Sequence, residues 1–291
     1  MIQYIKAGKS KEARYSILIP SWNNLEYLKI CINSIQKNSK LQHQIIVHIN
    51  EGKDGSLDWI KSQQLDYTFS EQNTGICYAM NAAASLTETD YIIYMNDDMY
   101  VCPGWDLHIM QEIEAIGHEY FFLSSTLIEP SGHNPSFIAP YNFGDSVADF
   151  DEKKLLERFA SFEKTDWNGA SWPPSVMHRR IWNLIGGYSV EFFPGMYSDP
   201  DLSMKLWQAG VRIFKGVAKS RVYHFMTKST GKLHIKSNGR RLFLQKWGIT
   251  ASVFYRFFLR MGTCYDGPLS EPERTLKYKL ALLKCRIKKI F

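Results

Sequence analysis

Apolar residues in the first hundred positions fall into two recurring patterns. Short continuous runs, "ARYSILIP", "HQIIVHIN", "DYTFS" and "YIIYM", predict strands, and Pro20 is expected to end the first of them. Between them, "LEYLKICINSIQK" sets Leu25, Leu28, Ile32 and Ile35 three and four residues apart, which is a helical period. A short helix is expected near Leu57 to Gln63, and "GICYAMNAAASL" predicts another. The run "YIIYM" lacks alternation, which fits the interior of a parallel sheet. Strands alternating with helices predict an α/β sheet, whose ligands bind beyond the carboxyl ends of the strands. The polar tips Ser21–Asn24, Asn50–Ser56, Gln72–Gly75 and Asn96–Asp98 are therefore expected to share one crevice.

The second half is less regular. "YFFLSST" predicts a strand and "DEKKLLERFASFEK" a charged surface helix. "WNGASWPPSVMHRRIWNLIGGY" reads as a Trp- and Pro-rich loop, then a helix from about Arg179 that stops at Gly186 and Gly187. "SDPDLSMKLWQAG" predicts a helix with Asp199 and Asp201 in its first turn, where carboxylates suit the macrodipole. "VRIF" and "GVAKSRVYHF" are expected as closing strands. The absence of a linker predicts one domain with a C-terminal helical extension.

Composition narrows the class. A hydrophobic fraction of 45% and a charged fraction of 22% are those of an ordinary globular chain. No apolar run approaches the roughly 18–20 residues of a membrane span. "MIQYIKAGKSKEAR" has no apolar core, so a secretory signal is not expected. Five scattered cysteines argue for a reducing cytosol and against a disulfide frame or structural zinc. Of the net charge of +6, the stretch from Arg274 to Phe291 carries seven Lys or Arg and no Asp or Glu. The body is nearly neutral, which argues against a nucleic-acid binder. In the tail, Leu276, Leu280, Leu283, Ile287 and Ile290 form an apolar stripe among Lys277, Lys279, Lys284, Arg286, Lys288 and Lys289. Such a helix either lies on an anionic membrane surface or packs on the domain with its basic face in water.

The strand "YIIYM" runs into Asn96, Asp97 and Asp98. Two adjacent carboxylates repel and are costly to desolvate, so they need a cation, hydrogen-bond donors or open water. In isolation such a pair is more often turn chemistry.

Its company changes that reading. "SILIPSWNN", "NEGKDGS", "NTGICYAMNAA", "MNDDM", "IGGY" followed by "SDPDLSMKLWQAG", and "VYHF" occur in this order. Together they resemble a family 2 glycosyltransferase of the GT-A fold, of the bacterial surface-polysaccharide type. The chain departs from the family pattern at Asn96, at Ser198 in place of Glu, and at Met80 where Arg is common.

The resemblance implies a Rossmann-like mixed sheet flanked by helices over residues 1–247, with a basic helical extension at 248–291. The nucleotide-sugar half would occupy about 14–105 and the acceptor half about 106–247. It implies an inverting transfer from a nucleotide sugar, UDP being the commonest, to a glycan or lipid-linked hydroxyl. Asp98 and His224 would hold a divalent metal, Mn²⁺ or Mg²⁺, and Asp199 would be the base. Pro20, Ser21, Asn23, Glu51, Asn73, Asn81, Asn96 and Asp97 would contact the sugar nucleotide, and Trp167, Asn168 and Trp172 the acceptor. Asp201 would brace its turn. Asn73, Asn81 and Trp167 could instead be a cap, a buried amide and a core aromatic. The enzyme would work in the cytoplasm, at the inner face of the plasma membrane if the tail binds lipid. Two other functions remain open on sequence: a binding protein that has lost catalysis, and a nucleotidyltransferase. The latter would need a Gly-rich basic phosphate loop, which "SILIPSWNN" does not offer.

Overall fold

The structure is a computed structural model that describes residues 1–8, 12–131, 137–227 and 238–290. After β1 (Ile2–Ile5), strand and helix alternate: β2 (Tyr15–Trp22), α1 (Leu25–Asn38), β3 (His43–Asn50), α2 (Ser56–Ser62), β4 (Asp66–Ser70), α3 (Gly75–Ala84) and β5 (Tyr91–Tyr94). Next come β6 (Met99–Val101), α4 (Trp105–Ile116), β7 (Phe121–Glu129), β8 (Ile138–Pro140) and α5 (Glu152–Arg158). The second half continues with β9 (Trp167–Asn168), β10 (Ser175–His178), α6 (Arg179–Ile185), α7 (Ser198–Gln208) and β11 (Ile213–His224). It closes with α8 (Gly239–Trp247), α9 (Ala251–Val253) and α10 (Leu276–Ile290).

The strands form one mixed sheet in the order β1-β4-β3-β2-β5-β10-β7-β11-β6, with β8 beside β7 and β9 beside β11. β4, β3, β2 and β5 run parallel, as the βαβ alternation requires. β10 lies antiparallel to both β5 and β7, so "YIIYM" has a parallel neighbour on one side only. β2 is buried along Tyr15–Ile19, and α3 covers β2 and β3. α1 buries Leu28, Cys31, Ile32 and Ile35, each large aliphatic side chain contributing about 1.5–3 kcal/mol.

Three expectations change. Pro20 does not end β2, which continues to Trp22 beside β3. Leu18 C=O accepts from Met95 N, where β5 stops, and Pro20 lies two residues further on the same side. Its missing N–H therefore faces a place with no strand to bond. "VRIF" and "GVAKSRVYHF" merge into the single strand β11, which absorbs a register shift against β7 between Val217 and Arg221. The Trp- and Pro-rich "loop" contains β9 and β10, and β10 is a central strand. Packing is also continuous past residue 247: Ile249, Val253, Phe254, Leu259 and Leu269 are buried in the main core.

Candidate active site

A crevice of about 660 Å³ opens beyond the carboxyl ends of β2, β3 and β5. Pro20, Ser21, Trp22, Asn50, Asn73 and Asn96–Asp98 line it. So do Trp172, the start of α7 from Tyr197 to Pro200, His224, Met226, Thr227 and Tyr255. The strand tips that alternation alone places together do meet here.

Asp98 and His224 share the floor. Oδ1 of Asp98 lies 3.4 Å from His224 Nε2, while Oδ2 accepts from Thr227 N at 2.8 Å and Thr227 Oγ1 at 2.7 Å. His224 Nδ1 sits 2.8 Å from Glu129 Oε1, which fixes the ring. Burial disfavours the charged imidazole, but the facing Asp98 and Glu129 carboxylates outweigh it and push His224 up to about 10. Burial likewise opposes charge on Asp98, yet His224 and Thr227 hold it below the usual carboxylate range. Asp97 is pushed up to about 7 by burial and by the charge of Asp98. Ser21 and Asn24 beside it oppose this only in part, since Ser21 Oγ and Asn24 Nδ2 form no hydrogen bond of good geometry.

Asp199 stands at the mouth of α7. Burial raises its carboxyl to about 6, against the 3.0 Å hydrogen bond it accepts from Tyr188 Oη. Tyr188 is held in turn by Asn81, whose Nδ2 donates to Tyr188 O and whose Oδ1 accepts from Tyr188 N, both at 2.8 Å. Gly187 has a left-handed φ of +59°, and a Cβ there would lie 2.5 Å from Asn81 Oδ1. Asp201, two residues from Asp199, faces away. It accepts from Ser189 Oγ at 2.6 Å and Trp247 Nε1 at 2.8 Å and pairs with Lys246 at 2.9 Å, so it does brace the turn.

Other sequence candidates take varied places. Pro20, Ser21, Asn73, Asn96 and Asp97 line the crevice. Asn73 Oδ1 also accepts from Gly75 N, at the first residue of α3, at 2.8 Å. Asn23 and Glu51 are bonded to each other at 3.1 Å, beside the lining residues Trp22 and Asn50 but outside the lining itself. Asn81 clamps Tyr188 and does not reach the crevice.

Trp167 and Asn168 are not acceptor walls. Trp167 is buried, donates from Nε1 to Thr126 Oγ1 at 3.0 Å, and lies over Gly216, where any side chain would overlap its ring. Asn168 is fully buried and ties β9 to the C-terminal segment through Thr263 Oγ1 and Cys264 O. Its Nδ2 is paired as a buried donor should be, while its Oδ1 has no partner. Of that segment, Trp172 does line the crevice.

Sequence reading missed Asn50, Glu129, Tyr188 and Thr227 as individual contributors. Asn50 Oδ1 gathers Thr74 N, Thr74 Oγ1 and Ser70 Oγ within 3.0 Å, joining the tips of β3 and β4 to the start of α3. Glu129 closes β7, as the polar run Asn96–Asp98 follows β5, and that signal was available. Thr227 carries none.

Among the described residues, no group of three or more His, Cys, Asp or Glu side chains could hold a metal ion. The pair Asp98 and His224 still fits a divalent cation that takes its other ligands from phosphate and water, provided that His224 gives up to solvent the proton that the Asp98 and Glu129 carboxylates favour. An imidazole whose second nitrogen is held by a carboxylate, here Glu129, is how ligating histidines are oriented.

Several known proteins share this architecture. S. aureus TarS, solved over its first 349 residues in complex with UDP-GlcNAc, superposes with a TM-score of 0.56 at 12% identity, covering 80% of this chain and 65% of that one. The longer TarS structure covers 96% of this chain and 43% of its own, with a TM-score of 0.56 and 14% identity. GalNAc-T7, solved with UDP, GalNAc and Mn²⁺, gives 0.51 at 14% identity over 74% of this chain and 44% of that chain. At these identities the likeness is one of fold. In sequence, an uncharacterized glycosyltransferase of Bacillus subtilis (strain 168), YfnE, is 32% identical over 89 residues, which span 29% of this chain and 23% of the relative. The family profile described as glycosyl transferase family 2 matches residues 16–162, from the first residues of β2 past the Asp97–Asp98 pair. With half of its length matched to that profile and a GT-A sheet throughout, the chain belongs to glycosyl transferase family 2.

Proposed function

We propose that the protein is an inverting, metal-dependent glycosyltransferase that moves a sugar from a UDP-sugar to a hydroxyl of a glycan or lipid-linked acceptor. The observation that carries this is the sharing of one crevice by Asp199 and the Asp98–His224 pair. In this reading Asp199 takes the proton of the acceptor hydroxyl as its oxygen bonds to the anomeric carbon. The bond from that carbon to the diphosphate breaks, and UDP departs from the opposite face. General-base assistance of this kind is typically worth about 10²–10⁴-fold. A carboxyl raised to about 6 is ionised at neutral pH yet basic enough to accept a proton. Asp98 and His224 would hold the cation, which when bound neutralises charge on the leaving diphosphate. Ser21, Asn73, Asn96 and Asp97 contact the sugar nucleotide, with Asn23 and Glu51 at its edge. Ser21 Oγ and Trp22 Nε1, which form no hydrogen bond of good geometry although Asp97 and Glu51 lie near them, supply polar atoms that a nucleotide would satisfy. The UDP and UDP-GlcNAc bound by TarS and the UDP and Mn²⁺ found with GalNAc-T7 support the same choice. The work would be done in the cytoplasm, and a lipid-linked acceptor would bring it to a membrane surface.

The test is a panel of UDP-, dTDP- and GDP-sugars, following diphosphate release with and without Mn²⁺, and the anomeric configuration of any product. Acceptor-dependent UDP release that stops on chelation, with inverted configuration, is expected. Pyrophosphate release, retention of configuration, or undiminished turnover in chelator would each overturn the corresponding part.

A further inference from the structure

α10 has two apolar faces. Tyr278, Ala281, Leu282 and Cys285 pack against the body, with the Tyr278 ring 5.1 Å from Phe257 and Cys285 Sγ 4.0 Å from Thr250 Oγ1. Leu276, Leu280, Leu283 and Ile287 are 73%, 49%, 52% and 49% exposed, whereas Cys285 is 2% exposed. At about 3.6 residues per turn the centres of the two sets lie about 180° apart. The outward stripe is therefore not the packing face of the helix. The same geometry puts Lys277, Lys284 and Lys288 along one flank of the stripe and Lys279 and Arg286 along the other. The side chain of Ile290, the last member expected in the stripe, lies outside the described residues.

We propose that this outer face of α10 docks on an anionic lipid bilayer. A row of aliphatic side chains bordered on both sides by basic ones matches the boundary between acyl chains and anionic headgroups. No Asp or Glu lies between Arg274 and Phe291 to oppose it. A second copy of the chain is a poorer occupant, because mating this face with itself would bring lysine flanks against lysine flanks. The packed face fixes how the outer face is presented. It seats α10 on the segment from Thr250 to Phe258, whose Ala251, Ser252 and Tyr255 line the crevice. A bilayer held on α10 thus lies one layer behind that wall. If the proposed reaction holds, docking would keep the protein at the surface that carries a lipid-borne acceptor, while the docking itself does not depend on that reaction.

Co-sedimentation of the full chain with extruded vesicles tests it. Vesicles of phosphatidylglycerol and phosphatidylcholine should pellet the protein at low salt. High salt should weaken this several-fold, and phosphatidylcholine alone should pellet little. The triple variant Lys277→Glu/Lys284→Glu/Lys288→Glu should bind more than about tenfold more weakly. Leu280→Ser/Leu283→Ser/Ile287→Ser should also lose binding, with helix content and a cooperative thermal transition retained, because these side chains lie opposite the packed face. No pelleting, binding unaffected by either variant, or a dimer in light scattering that both variants dissolve would overturn the proposal. Vesicle binding reads α10 and turnover in free solution reads the crevice, so either can fail without the other.

Discussion

Tyr188 Oη donates a 3.0 Å hydrogen bond to Asp199 Oδ1, and one side chain, Asn81, holds both backbone polar groups of Tyr188. The glycine pair Gly186–Gly187, helix α3 and the proposed base thus form one connected unit. The unit sets where the carboxylate points, and its hydrogen bond offsets part of the rise in basicity that burial imposes.

The rate should therefore follow that carboxyl. Below pH about 6 Asp199 gains a proton and transfer should fall roughly tenfold per pH unit. Tyr188→Phe removes a hydrogen bond that favours the ionised form, so the acidic limb should move to higher pH. A pH–rate profile whose limb stays in place would detach Tyr188 from the base.

Asp199→Asn should lower transfer by about 10²-fold or more while calorimetry shows sugar-nucleotide binding nearly intact. Stability should move the other way. The native carboxyl sits at about 6 against an ordinary 3.8, so its favourable contribution exists below about pH 4 and is lost as pH rises through 6. The Asn variant should melt higher than the parent at pH 8 and match it near pH 4. Equal midpoints at both pH values would mean that Asp199 is not held in a low-polarity site.

At the floor of the crevice, Asp98→Ala and His224→Ala should each weaken Mn²⁺-dependent binding of the sugar nucleotide, Asp98→Ala more because it also removes charge. Glu129→Gln keeps both ligands but loosens the hold on His224 Nδ1, and changes of this kind cost about 10–100-fold in metal affinity. Calorimetry showing normal Mn²⁺ and nucleotide binding in His224→Ala would make His224 structural.

Gly187→Ala would force a left-handed backbone on alanine and press Cβ against Asn81 Oδ1. A cost of about 1–3 kcal/mol is expected, seen as a lower midpoint on thermal unfolding. Turnover should fall as well, because the displaced atom belongs to the clamp on Tyr188.

Trp167→Phe should lower the midpoint too, since it removes the hydrogen bond to Thr126. The acceptor KM should not change. A raised KM at full stability would return Trp167 to the acceptor site.

What could be read in the sequence followed local periodicity. β3 and β4 have the bounds that their apolar runs predict, and α1 buries Leu28, Ile32 and Ile35 of its predicted stripe but leaves Leu25 half-buried. The meeting of the strand tips follows from the alternation alone. What could not be read depended on contacts between distant segments. Trp167 and Asn168 look alike in composition whether they face sugar or core. Only the ring of Trp167 over Gly216 and the ties of Asn168 to Thr263 and Cys264 decide it. Pro20 misled for the same reason, since its tolerance in β2 depends on where β5 stops. Thr227 reaches Asp98 across 129 residues of sequence, and no motif announces it.

Asp199 and Asp201 share a turn of α7 but serve different masters: one opens to the crevice, the other is buried against Lys246 and Trp247. Cutting the chain before α8 would remove the Lys246 ion pair and the Trp247 hydrogen bond and leave Asp201 with Ser189 as its remaining side-chain partner. The damage would fall on the turn that carries the proposed base. Modularity is thus lower than the family match over 16–162 suggests, and grafting that stretch onto another C-terminal half would exchange the catalytic geometry along with it.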